Sequence, residues 1–234
     1  MENIIVLKVG GSTFSTSEEN IFNFEEANRI KSLLQKHIEK GIKFILIAGG
    51  GYLSRKYQAM LAKQNLSIYD QHYVGTASCV LNATILRGVF GDLAEEKIFA
   101  LEDFDKNQPI VFSKSILIAG GGNPGPSSDW DAAYLCKHAS ATSVISLKDI
   151  GAVYTSDPDV NPDAKKLPKL TWSEYLNIIG NPENHKPGGS FPVDPLAAEF
   201  AKENDLNFRI LSGSDFTNLE KAINGDEFDG SIIS

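Results

Sequence analysis

Three short apolar runs in this chain each end in consecutive glycines, and this pattern limits the possible folds more than any other feature. The runs occupy residues 4–9, 42–48 and 116–119, and glycines 10–11, 49–51 and 120–122 follow them. A short apolar run bounded by glycine is typical of a buried strand in a parallel sheet. Glycine also lets the backbone approach a ligand and exposes N–H groups to anions. The pattern therefore predicts strand ends at which a ligand binds.

Strand and helix patterns alternate from one end of the sequence to the other. Helices are predicted over 23–40, 52–63, a stretch ending near 90, 129–138, 170–179, from 195, and over 215–223, with Asn23, Thr171 and Asp194 as N-caps. Further strands are predicted over 142–147, 207–211 and 232–233, the last as an edge strand, with shorter candidates at 97–100 and 109–112. We therefore expect one α/β domain over residues 1–234, a three-layer α/β/α sandwich with a mostly parallel central sheet.

The charge balance and the cysteines disfavour several classes of partner and site. The net charge of −8 argues against binding of nucleic acid or of an anionic membrane surface. Cys79 and Cys136 lack metal-ligand spacing and are expected to be small buried residues. The N-terminal residues enter a strand directly, with no signal peptide and no long apolar span, which predicts a soluble cytoplasmic protein.

Cationic side chains accompany the first two glycine runs. Lys8 precedes Gly10-Gly11-Ser12, and Arg55 lies one turn into the helix that follows Gly49-Gly50-Gly51. This is not a P-loop, because the lysine comes before its glycines. A lysine and adjacent N–H groups at a strand end nevertheless suit a polyphosphate. An ordinary turn with an exposed lysine is the alternative.

The third glycine run leads into a loop and then a helix. Ser127, Ser128 and Asp129 are all favoured N-cap types, and the helix would begin near them. Its positive end would point at the loop, an arrangement that suits phosphate. A strand–turn–helix corner without any ligand is the alternative.

Taken in order, these motifs resemble the amino acid kinase superfamily and, within it, the uridylate (UMP) kinases of the archaeal-type branch. The motifs span nearly the whole chain and comprise Lys8-Val9-Gly10-Gly11-Ser12, Gly49-Gly50-Gly51 with Arg55, residues 123–129 with Ala132-Ala133, residues 151–158 and residues 193–198. The resemblance implies an amino acid kinase-like fold, with an acceptor-binding half over about 1–141 and an ATP-binding half over about 142–234. It also suggests a homohexamer.

The activity implied by the resemblance is transfer of the γ-phosphoryl group of ATP to UMP, giving UDP and ADP in pyrimidine nucleotide biosynthesis. Such chemistry depends on positioning and charge neutralisation. By the family pattern Lys8 would neutralise charge that develops between donor and acceptor, while Asp129 and Asp194 would orient lysines and loops. Mg²⁺ would come with ATP, held mainly by phosphate oxygens and water, without protein ligands.

The family pattern also implies the binding residues on each side. ATP would be bound by Gly10, Gly11, Ser12, Gly51, Arg55, Lys148, Tyr154 and Asp157. UMP would be bound by Gly50, Asp70, Gly121, Gly122, Asn123, Pro124, Gly125, Pro126 and Ser127, with Asp70 accepting hydrogen bonds from the ribose.

On the acceptor side the sequence departs from the family pattern. Family members usually carry a Thr-Arg pair shortly before an asparagine, whereas this chain has Cys79-Val80 before Asn82. Trp130-Asp131 also stand where small apolar residues are more usual. Two alternatives therefore stay open: a kinase of the same fold with another small acid or phosphate as acceptor, and a non-catalytic binding protein that resembles molybdenum storage subunits. Isopentenyl-phosphate kinases are disfavoured, because residues 52–55 lack their usual histidine.

Overall fold

The computed structural model describes residues 3–100, 103–104, 108–122, 127–180 and 191–234. Its strands are β1 (Ile4–Val9), β2 (Lys43–Ala48), β3 (Ile116–Ala119), β4 (Ser143–Lys148), β5 (Val153–Tyr154), β6 (Lys166–Leu167), β7 (Lys169–Leu170), β8 (Asn207–Ser212) and β9 (Gly230–Ile233). Its α-helices are α1 (Gly11–Phe14), α2 (Phe24–Ile38), α3 (Gly51–Lys63), α4 (Ile68–Phe90), α5 (Ser128–His138), α6 (Trp172–Ile179), α7 (Pro195–Glu203) and α8 (Phe216–Asn224).

The described strands form a central sheet in the order β3-β2-β1-β4-β8-β9-β7, and β5 pairs with β6 in a small separate sheet. Strands β3, β2, β1, β4 and β8 are mutually parallel, whereas β9 runs antiparallel to β8. The carboxyl ends of β1 to β4 therefore lie side by side at one edge of the sheet. The mostly parallel sheet predicted from the sequence is confirmed.

Apolar side chains fill the space on both faces of this sheet. Successive residues of a strand point to opposite faces, so Val6 packs in the cluster that includes α5, α6 and α7 residues, and Leu7 packs in the cluster with α2, α4 and α8 residues. Both side chains are fully buried. The result is the predicted three-layer sandwich, with helices on both faces.

The predicted N-caps are confirmed, because each side chain accepts a backbone N–H of the first helical turn. Asn23 accepts from Glu26, Asp194 accepts from Ala197, and Thr171 accepts from Glu174 in a reciprocal capping box. These short polar side chains satisfy amides that the helix itself leaves unpaired. Helix starts are therefore encoded locally in this sequence.

Two strand predictions were wrong. Residues 109–112 form no strand, because the Ile110 N–H donates to the carbonyl of His138 rather than to a neighbouring strand. Residues 97–100 provide only an isolated bridge between Phe99 and Ala119. The last strand, β9, is also not at the edge, because the two residues of β7 pair with its outer side.

Helix α4 is unusual in its apolar surface. Residues 68–93 are long and apolar enough to cross a membrane by length and composition alone, a test that core helices of globular proteins also pass. The helix packs against α3 and β2, yet Ile68, Tyr69 and Tyr73 are exposed. An apolar groove of about 320 Å³ between α3 and α4 is lined by residues that include Met60 and Val74. We call the groove and these exposed side chains the α3–α4 apolar face.

Candidate active site

A cavity of about 1040 Å³ lies beyond the carboxyl ends of β1, β2, β3 and β4. Parallel α/β sheets bind ligands at this edge. The cavity brings together most of the residues predicted for the site. Its lining includes Lys8, Gly10, Gly11, Ser12, Gly50, Gly51, Arg55, Gly121, Ser127, Asp129, Lys148, Tyr154, Asp157 and Asp194.

The first two glycine loops touch each other at the centre of this edge. A β-carbon on Gly11 would lie 2.0 Å from the Gly51 nitrogen, and one on Gly51, whose φ is +63°, would lie 2.4 Å from the Gly11 carbonyl oxygen. Neither position accommodates a side chain without moving the backbone. The side-chain amide of Asn82, on α4, donates to the Gly49 carbonyl at 2.8 Å and holds the second loop from behind.

A buried cluster of charges lies at the ends of β1, β4 and α5. The Lys8 Nζ atom is 2.8 Å from Asp129 Oδ1, and the Lys148 Nζ atom is 2.9 Å from Asp129 Oδ2. Lys8 and Asp129 are each 4% exposed, so water screens this interaction little. One carboxylate therefore fixes two ammonium groups at the cavity wall.

The pKa values of the three groups follow from this shared contact. Burial alone would raise the pKa of Asp129, but Lys148 and Lys8 outweigh it and lower the pKa to about 2. Burial and the neighbouring charge of Lys8 lower the pKa of Lys148 to about 8. For Lys8 the attraction of Asp129 exceeds the effect of burial, and its pKa is raised. At neutral pH the site therefore offers two cations held by one anion.

Asp194 links two helix starts. Its Oδ2 atom accepts a hydrogen bond from the Ser127 hydroxyl, and its Oδ1 atom accepts from the Ala197 N–H at 3.1 Å. Ser127 itself caps α5, because its Oγ accepts from the Asp129 N–H. The start of α5 and the start of α7 are thus held together at the cavity.

The side predicted to bind ATP extends from β1 to the β5–β6 hairpin. The Ser12 hydroxyl donates to Asp149 Oδ1 at 2.7 Å, a contact between the two halves of the chain. Lys148 also donates to the Phe191 carbonyl at 3.2 Å. Tyr154, Asp157 and Ile150 line the outer part of this side. Every residue predicted to bind ATP lies on the cavity.

The side predicted to bind UMP agrees only in part with the structure. Gly50, Gly121 and Ser127 line the cavity, whereas Asn123, Pro124, Gly125 and Pro126 lie outside the described residues. Asp70 is exposed and, among the described residues, does not line the cavity. Its carboxylate accepts from the Ser67 hydroxyl at 2.6 Å, at the start of α4. Gly122 is buried, and its N–H donates to Asp131 at 3.3 Å.

Sequence reasoning missed His72, Thr76 and Cys79, which line the cavity from α4 together with Gly75. Their spacing of three to four residues places them on one face of a helix. Counting back three residues from Gly75 along a helix reaches His72, whereas Asp70, five residues back, lies off this face. The helical spacing in the sequence could therefore have predicted His72 as a cavity residue.

Cys79 and Val80, which replace the family's Thr-Arg pair, lie in different surroundings. The Cys79 side chain lines the cavity, and burial raises the pKa of its thiol to about 12. Val80 packs against the third glycine loop, with its Cγ2 atom 2.7 Å from the position of a β-carbon on Gly121. Val80 therefore does not supply the cation that the family pattern has at this position.

Comparison with known proteins finds relatives that are similar to this chain over nearly its full length. The uridylate kinases of Thermococcus onnurineus and Thermococcus kodakarensis are 31% and 30% identical to it, and each alignment covers 98% of both chains. The uridylate kinase structure from Archaeoglobus fulgidus is 25% identical, has a TM-score of 0.75, and is matched over 99% of this chain and 100% of that chain. The UMP kinase structure from Bacillus anthracis has a TM-score of 0.79 at 20% identity, over 99% and 96% of the two chains, and shows the fold alone. Residues 3–212 match the model of the amino acid kinase family, and the chain belongs to that family.

Proposed function

We propose that this protein is a UMP kinase, which transfers the γ-phosphoryl group of ATP to UMP and yields UDP and ADP in pyrimidine nucleotide biosynthesis. The observation that carries the proposal is the shared Lys8–Asp129–Lys148 cluster at the junction of the two predicted binding sides. The near-complete alignment with proteins named uridylate kinase supports the choice of acceptor.

In this proposal the cations of the cluster stabilise the transferring group. A phosphoryl group in transfer carries charge on its equatorial oxygens, and preorganised cations stabilise that charge without reorganising. Lys8 lies near the end of β1, shortly before Gly10–Gly11, and its ammonium group pairs with Asp129, which supports a position between donor and acceptor. The acceptor phosphate is already ionised at neutral pH, so the reaction requires no strong general base.

Binding of Mg²⁺ is proposed to accompany ATP. Among the described residues no group of three or more His, Cys, Asp or Glu side chains is placed to hold a metal ion. Asp129 is engaged by two lysines, and Asp194 by Ser127 and the start of α7. A Mg²⁺ ion held mainly by phosphate oxygens and water would offset the negative charge of the phosphates.

The direct test is ADP release, measured by a coupled assay with ATP and Mg²⁺ against each nucleoside monophosphate. We expect turnover with UMP and little turnover with purine monophosphates. Turnover with a different acceptor and none with UMP would overturn the substrate assignment while leaving the kinase reaction intact. Binding of nucleotide or of an oxyanion such as molybdate without any turnover would favour the storage alternative.

One observation favours a second candidate, a kinase of the same fold with another small acid or phosphate as acceptor. Cys79 and Val80 remove a hydroxyl and a cation from the acceptor wall, and a cation that binds phosphate bidentately is a major source of affinity. The same assay, repeated with common small acids and phosphate monoesters, distinguishes this candidate from the first.

We further propose a single cytoplasmic domain that assembles with copies of itself. The α3–α4 apolar face supports assembly, because exposed apolar surface of this kind is typical of protein interfaces. Tyr69 is 64% and Ile68 63% exposed in the single chain. A hexamer, as the family resemblance suggests, would be measured by sedimentation velocity or light scattering.

A further inference from the structure

Asp131 is a buried carboxylate on the acceptor side that the family resemblance does not explain. It lies on α5, two residues beyond Asp129, and is 3% exposed. Its Oδ2 atom accepts the N–H of Gly122 at 3.3 Å, whereas its Oδ1 atom is buried and has no hydrogen-bond partner among the described residues. The residue nevertheless lines the cavity. A buried polar atom without a partner carries a cost of desolvation, which a ligand in the cavity can remove.

The surroundings of Asp131 favour its neutral form. Burial raises its pKa to about 7, and the negative charges of Asp194 and Asp129 contribute further. Lys8 opposes this shift, but its ammonium group is already paired with Asp129 at 2.8 Å. Across the same cavity, Lys148 is paired with Asp129, and Cys79 carries a protonated thiol. His72 also lines this cavity, as does Arg55, which the family pattern assigns to ATP.

A phosphate monoester brings nearly two negative charges at neutral pH. An ionised Asp131 would repel it, and Val80 offers no cation in compensation. A protonated Asp131 instead presents an O–H donor from the oxygen that lacks a partner, and a bond from a neutral carboxyl to an anionic oxygen is short and strong.

We propose that Asp131 binds the acceptor in its protonated form and donates a hydrogen bond from Oδ1 to an oxygen of the acceptor phosphate, so that acceptor binding takes up one proton from solution. This inference rests on the proposed function, because it takes UMP as the acceptor. It assigns to Asp131, which stands where the family pattern usually has a small apolar residue, part of the role that the missing arginine has in that pattern.

Proton linkage gives the inference a quantitative signature. At pH 8 a carboxyl with a pKa of about 7 is mostly ionised in the free protein, so binding should take up close to one proton. The uptake is measured by titrating UMP into the protein calorimetrically in two buffers of different ionisation enthalpy. UMP that binds as the dianion contributes no uptake of its own at pH 8.

Asp131→Asn is the decisive variant, because the amide keeps the shape and a donor but cannot titrate. It should abolish the proton uptake at pH 8 and bind UMP about tenfold more tightly than the wild type there, since it has no proton to acquire. At pH 6 the two proteins should bind within a few-fold of each other. Asp226→Asn makes the same change at an exposed position and should leave the uptake as in the wild type.

Asp131→Val removes the donor and should weaken UMP binding about tenfold or more at pH 6. Thermal unfolding checks whether this variant folds, and the Asn variant keeps the inference testable if it does not.

UMP binding without proton uptake, or uptake retained in Asp131→Asn, overturns the inference while the proposed function stands. Weaker binding by Asp131→Asn at pH 8, with no proton uptake by the wild type, would mean that an ionised Asp131 accepts from the ligand, which also overturns it. Failure of the wild type to bind UMP at all would instead contradict the proposed function.

Discussion

Lys8 and Asp129 form a buried ion pair of 2.8 Å although they come from opposite ends of the acceptor half, one from the end of β1 and the other from the start of α5. The pair depends on β1 lying inside the sheet, between β2 and β4, and on α5 packing against it. The position of the lysine at the cavity is therefore a property of the whole fold.

Lys8→Ala should lower turnover about 10²- to 10³-fold, because one preorganised cation is lost from the phosphoryl-transfer site. Folding should be retained, since Asp129 keeps Lys148 as a partner. Steady-state kinetics and circular dichroism measure the two effects. Lys97→Ala, which removes an exposed lysine paired with Asp103, is the matched control and should not change turnover. A Lys8 variant within a few-fold of the wild type would exclude Lys8 from the mechanism.

Asp129→Asn should destabilise the protein by about 3–5 kcal/mol in urea unfolding, because it leaves two buried ammonium groups without a carboxylate. Glu18→Gln, which breaks the exposed ion pair with Lys56, should leave the unfolding midpoint unchanged. Equal effects of the two substitutions would show that the buried cluster contributes no more to the free energy of unfolding than an exposed ion pair does.

The pH dependence of kcat/KM for ATP should show a loss above about pH 8. The pKa of Lys148 is lowered to about 8 by burial and by Lys8, so its cation is present below that pH and is lost as pH rises through it. Lys148→Arg keeps a cation at every accessible pH and should remove this alkaline decline. A decline that persists unchanged in the arginine variant would assign it to another group.

Val80→Arg should lower the KM for UMP about ten- to hundredfold by restoring a charge-assisted contact to phosphate. The side chain starts beside Gly121, which lines the cavity. Leu81→Arg places the same residue at the next position of α4, which is exposed, and should leave KM unchanged. If neither variant changes KM while both fold, then the acceptor phosphate does not approach this helix.

Tyr73→Glu should dissociate the proposed assembly, because it places a charge in the α3–α4 apolar face. Sedimentation velocity should show a smaller species than the wild type. Val111→Glu, at a residue 89% exposed elsewhere on the surface, should leave the assembly intact. A wild-type protein that sediments as a monomer would contradict the proposal at once.

Much of the fold followed from local sequence signals, because they act within a few residues of each other. The strand–glycine runs and the caps Asn23, Thr171 and Asp194 are of this kind. The position of β9 was not predictable in the same way, since its neighbour β7 comes from a distant two-residue segment with no periodicity of its own.

On the acceptor side, fewer of the predicted residues line the cavity than on the ATP side. The ATP residues follow strand ends, where the backbone direction fixes their location, and all of them reached the cavity. Asp70 and His72 instead lie on a long helix, where two residues of displacement turn a side chain away from a site. Asp131 stood out in the sequence only as a departure from the family pattern, and its burial was not predictable because it results from the packing of α5 on the sheet.

The contact between Gly11 and Gly51 has a mechanical consequence. Because the two loops meet backbone to backbone, the absence of side chains on these glycines allows the two loops to approach as closely as they do. A methyl group at either position would push the two loops apart and would move the N–H groups of one loop away from those of the other. Gly11→Ala should therefore impair both binding sides at once, although the residue belongs to only one loop.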